Sequence, residues 1–300
     1  MLLMLATVIL NIVIDPFFIF GWWILPEMGV EGAAVATIIS RFMALAVALY
    51  ILFTGRRGVE ISLSDMKPDL GFLRKMLNIG VPASVEGVGR SVSVNAIVAV
   101  VGWTFVGPVV AGYGIGVRIF SMVFLPAIAV GRAVESMAGQ NLGAGNFDRA
   151  GETARVGSRY SFIVLSALGL LVFFLARPIA SVFIASSKAN SDRIAAVGAQ
   201  FLRYVAFSFG FIGILRSYSG AFRGAGKTLT AALLAILPLG FVRLPIAYFG
   251  ARGIGTAGVF IAFFISNIVG ATLAYLLFQR GSWRRRISGD DLESGGGEES

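Results

Sequence analysis

Three observations predict an all-α integral membrane protein, a helical bundle with about eight transmembrane helices. The 300 residues are 57% hydrophobic and 14% charged, with a mean hydropathy of +0.84. Soluble domains are nearer a quarter charged and 45–50% apolar. The apolar residues fall into eight runs, at about 1–21, 29–53, 76–103, 109–138, 158–177, 195–220, 228–249 and 254–279. About 20 apolar residues in a helix cross the hydrocarbon core of a bilayer. Between the runs, basic residues collect on alternate loops. One side holds Arg56, Arg57, Lys67, Arg74 and Lys75, then Arg149, Arg155 and Arg159, then Arg223 and Lys227, and last Arg280, Arg284, Arg285 and Arg286. The other side has Arg177, Lys188, Arg193 and Arg252. The basic excess marks the cytoplasmic face, which places both termini inside in a multi-pass protein of the plasma membrane.

Composition also removes whole classes of chemistry. Without cysteine there is no disulfide, thiol nucleophile or thiolate metal site. Without histidine there is no imidazole acid–base catalysis and no imidazole metal ligand. Metal and cofactor motifs are lacking, so a cofactor-free transporter is expected rather than an enzyme. The net charge of +9 sits in the loops as a topology signal, so no nucleic-acid partner is expected.

Taken in order, the first run opens apolar at Met1, with no basic n-region and no small-residue cleavage site, so it does not read as a signal peptide. Trp22, Trp23, Trp103 and Trp283 fall at predicted helix ends, as an interfacial aromatic belt requires. The stretch 58–75 reads as a cytoplasmic linker between helices 1–57 and a six-helix bundle at 76–280. The tail 281–300, rich in Gly, Ser and acid from Asp290 onward, reads as disordered.

An internal repeat is visible. The segment Gly29–Ser40 (GVEGAAVATIIS) recurs as Gly255–Ser266 (GTAGVFIAFFIS), and each copy follows an apolar helix containing proline, at Asp15-Pro16 and Leu244-Pro245. Both copies start on the non-cytoplasmic side, so the repeat is parallel, one of the designs of membrane transporters. If each repeat has six helices and ends on this motif, the first repeat lacks its first four helices here. The chain by itself is then expected to be an incomplete part of a transporter.

Several of these segments resemble the multidrug and toxic compound extrusion (MATE) transporters. They are Asn11-Ile-Val-Ile-Asp15-Pro16 with Gly32-Ala-Ala-Val-Ala-Thr37, then Ile79-Gly-Val-Pro82-Ala and Gly114-Ile-Gly-Val-Arg118-Ile. Gly139-Gln-Asn-Leu-Gly-Ala-Gly145 with Arg149-Ala150 and Gly220-Ala-Phe-Arg223-Gly-Ala-Gly226 follow, so the likeness covers nearly the whole chain up to the tail. It implies two six-helix bundles facing each other across a cleft, of which this chain holds the last two helices of the first and all of the second. It also implies a secondary antiporter that exports drugs or metabolites, cationic or aromatic, in exchange for H⁺ or Na⁺. The missing helices would come from the full-length chain.

Asn11 and Asp15 are four apart and share a helix face. Pro16 next to them lacks the N–H that would bond the carbonyl of Ile12. A carboxylate, a carboxamide and a spare carbonyl suit a hard cation or a proton. The resemblance adds Thr37 on the next helix and an aspartate on a helix absent from this chain. The alternative is a buried carboxylate satisfied by its neighbours or lying near the outer interface.

In the second bundle Glu86 lies in an apolar run and precedes Arg90 by one helical turn, which reads either as an intramembrane ion pair or as a titrating acid. By resemblance, acidic ion ligands lie on helices three, four and six of this chain; Glu86 and Glu135 fit the first two, and helix six has none. Arg132 and Glu135 read as a helix-surface pair, and Arg118 as structural. Arg41, Arg203, Arg216 and Arg243 are expected to snorkel. Phe120, Met122 and Phe124, or Phe207, Phe209 and Phe211, are candidates to line a cleft. Arg223-Gly-Ala-Gly226-Lys227-Thr228 imitates a phosphate loop, but Ala221 replaces the required glycine and no strand precedes it, so it reads as a turn.

Two further readings stand beside the antiporter. A lipid-linked oligosaccharide flippase of the same superfamily predicts Arg90, Arg118, Arg132 and Arg216 pointing inward together. A non-transporting membrane subunit would need a partner chain that supplies the other helices.

Overall fold

The computed structural model describes residues 2–22, 26–54, 70–184 and 190–284, and every described regular element is helical. Most of the 58–75 linker, residues 285–300 of the tail, and Trp23, Arg56, Arg57, Lys67 and Lys188 lie outside the described residues. The chain divides into two compact units, Met1–Leu70 and Gly71–Ser300.

The first unit is a helical hairpin of α1 (Leu2–Ile19) and α2 (Gly29–Phe53). Gly29 takes φ +54° at the turn, a conformation open to glycine without steric cost. One turn later Gly32 lies against the backbone of Phe18, where any Cβ would collide. Ala36 and Ser40 continue the stripe and are 0% and 1% exposed. Small residues at this spacing let two membrane helices approach backbone to backbone, which replaces the hydrophobic drive that lipid cannot supply.

The second unit runs α3 (Leu70–Thr104), α4 (Pro108–Gly143), α5 (Phe147–Phe174), the short α6 (Ala176–Val182), α7 (Ser191–Ala206) and α8 (Phe209–Gly224). It continues through α9 (Thr228–Leu237), a π-helical segment (Pro238–Arg243), α10 (Leu244–Gly253) and α11 (Thr256–Gln279), and ends in a single 3₁₀ turn, Ser282–Arg284. The α8 helix is central, with α4, α5 and α11 packed around it. On its α4 side Gly220 and Gly224 meet the backbone of Gly131, Glu135 and Gly139, with no room for side chains. An aromatic core built on Tyr113, Phe201, Phe209, Phe260 and Phe263 fills one half of the unit, and Val134, Phe222, Phe278 and Trp283 belong to the other.

Six helical spans are long and apolar enough to cross a membrane: α2, α3, α4, α5, the stretch Thr228–Gly253 and α11. The pair α7 and α8, bent by 55° at its break, makes a seventh when taken as one, and the apolar α1 is shorter. The eight expected runs are all present as helices. Their ends differ where charge misleads a hydropathy reading. Helix α5 begins at Phe147, not near 158, because Asp148, Arg149, Glu152 and Arg155 extend it with polar helical turns. Likewise α3 begins at Leu70, inside the stretch read as linker. The polar segment 139–143 is the last turn of α4, and the chain reverses only at Ala144–Asn146, with Gly145 at φ +79°. Trp22 and Trp103 are exposed, but Trp283 is 3% exposed, correcting its assignment to the interfacial belt. Its ring stacks on Phe278, and its indole N–H donates to the Phe278 carbonyl at 2.9 Å.

Candidate functional site

In the first unit the expected pair is formed. The Asn11 amide donates to the Asp15 carboxylate at 2.9 Å, both side chains being half-buried. No ion pair reaches Asp15 among the described residues, and it is the single charge on an otherwise apolar α1. Thr37 gives its hydroxyl proton to the Ala33 carbonyl on its own helix at 2.9 Å, which leaves its oxygen lone pairs available as ligands.

In the second unit Glu86 is ion-paired, but its partner is Arg223 rather than Arg90. Arg223 Nη1 donates to both Glu86 oxygens, at 3.1 and 2.9 Å. Arg223 Nε also lies 3.4 Å from Glu135, whose carboxylate accepts from Arg132 at 3.4 Å as the sequence spacing predicts. One arginine at the end of α8 therefore joins α3 to α4 through two acids. Arg223 comes from the turn read as a basic anchor, 137 positions from Glu86, so no local pattern signals the pair. A half-buried acid with a cation across it is a structural link first. Its partner must leave before the acid can take up a proton or a metal cation.

The larger departure concerns the arginines expected to snorkel. Arg41 and Arg203 are exposed. Arg243 is 5% exposed and lies wholly inside the unit. Its Nε donates to Ser266 Oγ at 2.8 Å and its Nη2 to Asn267 Oδ1 at 2.7 Å. Asn267 in turn donates to Ser208 Oγ at 2.8 Å, in the break between α7 and α8. The guanidinium lies 4.2 Å above the Phe263 ring. The π-helical segment positions it: Leu244 N–H bonds the carbonyl of Leu239, one residue further back than an α-helix allows. Insertions of this kind re-aim a side chain and recur at functional sites.

Arg216 on α8 lies 4.6 Å above the Phe124 ring, and its Nε is buried without a hydrogen-bond partner among the described residues. Arg90, Arg216 and Arg243 line a cavity of about 150 Å³ with Tyr113, Phe120 and Phe124. A neighbouring cavity of about 430 Å³ shares Arg90 and Arg216 and adds Glu86, Arg132, Glu135 and Arg223. Of the arginine set tied to the flippase reading, Arg90, Arg132 and Arg216 line one or both of these cavities and Arg118 lines neither, Arg216 alone of the four being shielded from the surface. Of the aromatic candidates, Phe120 and Phe124 line the smaller cavity, Phe209 is core, and Met122 and Phe207 are exposed.

A family model described as MatE matches residues 82–249, more than half of the chain. The chain belongs to the MatE family. A probable multidrug resistance protein NorM from Thermotoga maritima is 28% identical, over 92% of this chain and 59% of the relative. A probable multidrug resistance protein YpnP from Bacillus subtilis is 30% identical, over 92% of the chain and 60% of the relative. A protein of Shewanella oneidensis named as an FAD transporter is 24% identical, over 93% and 60%. The chain thus spans about three-fifths of the length of these curated relatives. The fold matches the solved structure of a MOP superfamily transporter from Pyrococcus furiosus with a TM-score of 0.85 at 24% identity, covering 95% of this chain and 63% of that one. An outward-facing multidrug resistance MATE family transporter matches at the same TM-score and identity, over 95% and 62%. The MatE match contains Glu86, Glu135, Arg216, Arg223 and Arg243, and it stops short of Asn11, Asp15 and Thr37.

Proposed function

We propose that this MatE chain belongs to a secondary active antiporter of the plasma membrane that exports small drugs or metabolites in exchange for H⁺ or Na⁺. Asn11 and Asp15 form its cation-coupling site, and both termini are cytoplasmic. The observation that carries this reading is the hydrogen-bonded Asn11–Asp15 pair on a helix with no compensating cation. An uncompensated carboxylate is expensive within a membrane, and a bound proton or metal ion relieves that cost. Neutralising Asp15 in one conformation more than another is what would drive the transport cycle, since a ligand shifts an equilibrium only by its differential affinity. The names of the relatives support export of small molecules over catalysis.

Glu86 and Glu135 serve this reading less well, because Arg223 already holds both. Gradient-driven efflux of a fluorescent drug from cells producing the full-length transporter that carries this chain tests the assignment. Asp15→Asn is expected to reduce efflux to the level of cells without the protein while leaving its membrane abundance unchanged. Efflux retained in that variant moves coupling to the second unit, where Glu86→Gln is the next substitution.

A further inference from the structure

We infer that the arginine-lined cavity of the second unit binds a small aromatic anion, a single ring bearing a phosphate, sulfonate or carboxylate group. On the antiport reading this is the class of molecule exported, so the inference rests on that reading. Three features carry it. The first is charge: Arg90, Arg216 and Arg243 line the cavity and no Asp or Glu does. The acids nearest along the shared wall, Glu86 and Glu135, are taken by Arg223 and Arg132.

The second is unspent hydrogen-bonding capacity. A guanidinium has five N–H donors. Arg243 commits two to neutral oxygens of Ser266 and Asn267, which orient it without cancelling its charge. Arg216 keeps a buried Nε with nothing to donate to among the described residues. Buried donors and charges are costly until matched, and guanidinium forks match tetrahedral and planar oxyanions in particular.

The third is shape. The remaining wall is largely apolar, with four rings, Tyr113, Phe120, Phe124 and Phe263, set among aliphatic side chains. The volume, about 150 Å³, is close to that of a roughly 150 Å³ apolar cavity known to accept benzene. A cationic drug would meet uncompensated like charge here, whereas an aromatic anion pairs its head with the guanidinium groups and its ring with the phenylalanines.

Phenyl phosphate and benzylammonium, one ring with opposite charges, separate these outcomes. Both are titrated calorimetrically against the chain in lipid nanodiscs, with inorganic phosphate as a third ligand. Saturable binding of phenyl phosphate, weaker binding of inorganic phosphate and none of benzylammonium is the expected result. Arg216→Gln is expected to weaken phenyl phosphate binding by about 10- to 100-fold, the loss of one charge-assisted hydrogen bond. Arg90→Gln, at an exposed wall position that leaves the core intact, is expected to weaken it as well, which guards against a misfolded Arg216 variant. Failure of phenyl phosphate to saturate, equal binding of benzylammonium, or unchanged affinity in both variants would overturn the site. The measurement needs no ion gradient, so its failure is separate from failure of the Asp15→Asn efflux test.

Discussion

Two hairpins of this chain use one frame to hold opposite charges. In α1–α2, Gly32 lies against the backbone of Phe18; in α10–α11, Gly258 lies against that of Gly250. Each second helix starts from a glycine with positive φ, Gly29 at +54° and Gly255 at +68°. Four and eight residues beyond the crossing glycine come an alanine and a serine, Ala36 and Ser40 in one copy, Ala262 and Ser266 in the other, none more than 1% exposed. Seven residues before the contact on the preceding helix, the first hairpin has Asn11 and the second has Arg243. Asn11 serves a carboxylate, and Arg243 binds the repeat's own buried serine, Ser266. The glycine crossing fixes the backbone, and a single helix face then decides whether the hairpin carries a carboxylate or a guanidinium.

The largest expected effects come from removing the charge of the first copy and, as a contrast, a charge on α8 that lies outside both copies. Asp15→Asn is expected to abolish cation-driven efflux, whereas Arg223→Gln leaves Asp15 untouched and acts on stability. Arg223 and Glu86 have side chains 17% and 13% exposed. Stripping one partner from a fully buried pair costs about 3–5 kcal/mol, and this partly exposed one should lose less than that. Thermal unfolding in detergent should show that loss, with partial recovery in the double variant Glu86→Gln/Arg223→Gln, because no lone buried carboxylate is then left behind. An unchanged melting temperature for Arg223→Gln would mean that the link between α3 and α8 carries no net stability.

A smaller effect tests the shared frame itself. Gly32→Val and Gly258→Val each drive a side chain into the backbone of the preceding helix. Overpacking of this kind costs about 1–3 kcal/mol. Similar losses in the two variants are expected from thermal unfolding. A loss confined to one would show that only that hairpin depends on its glycine crossing.

Much of this architecture was legible in the sequence, because hydropathy and the repeated glycine–alanine–serine spacing are local signals. The spans and the Asn11–Asp15 pair each rest on one contiguous stretch of helix, and the repeat on a spacing that can be read within each copy. Long-range geometry was not legible. Glu86 has a local candidate in Arg90, but a partner 137 residues away takes it, and nothing in either segment encodes that meeting. Arg243 looked like a residue that escapes to the interface, since an intramembrane arginine usually does so. Only the π-helical register between Pro238 and Leu244, with Ser266 and Asn267 opposite, makes burial affordable. The signal that was available lies within the repeat: the second copy places Asn267 beside Ser266, where the first follows Ser40 with Arg41.

The smallest expected effect concerns Thr37 and sharpens the first half of the comparison. Its hydroxyl proton goes to Ala33 on its own helix, so the threonine contributes to a cation site only through its oxygen lone pairs. Thr37→Ala removes that oxygen without disturbing the Gly32 crossing or the buried Ala36 and Ser40. A half-buried substitution of this kind falls within about 0.5 kcal/mol in stability, and unfolding should confirm it. If Asn11 and Asp15 suffice for coupling, efflux driven by a proton gradient and efflux driven by a sodium gradient should both stay within about twofold of the parent, a change of roughly 0.4 kcal/mol. A selective loss of the sodium-driven component would instead make Thr37 a sodium ligand, because a proton needs one acceptor and a hard metal ion needs several oxygens.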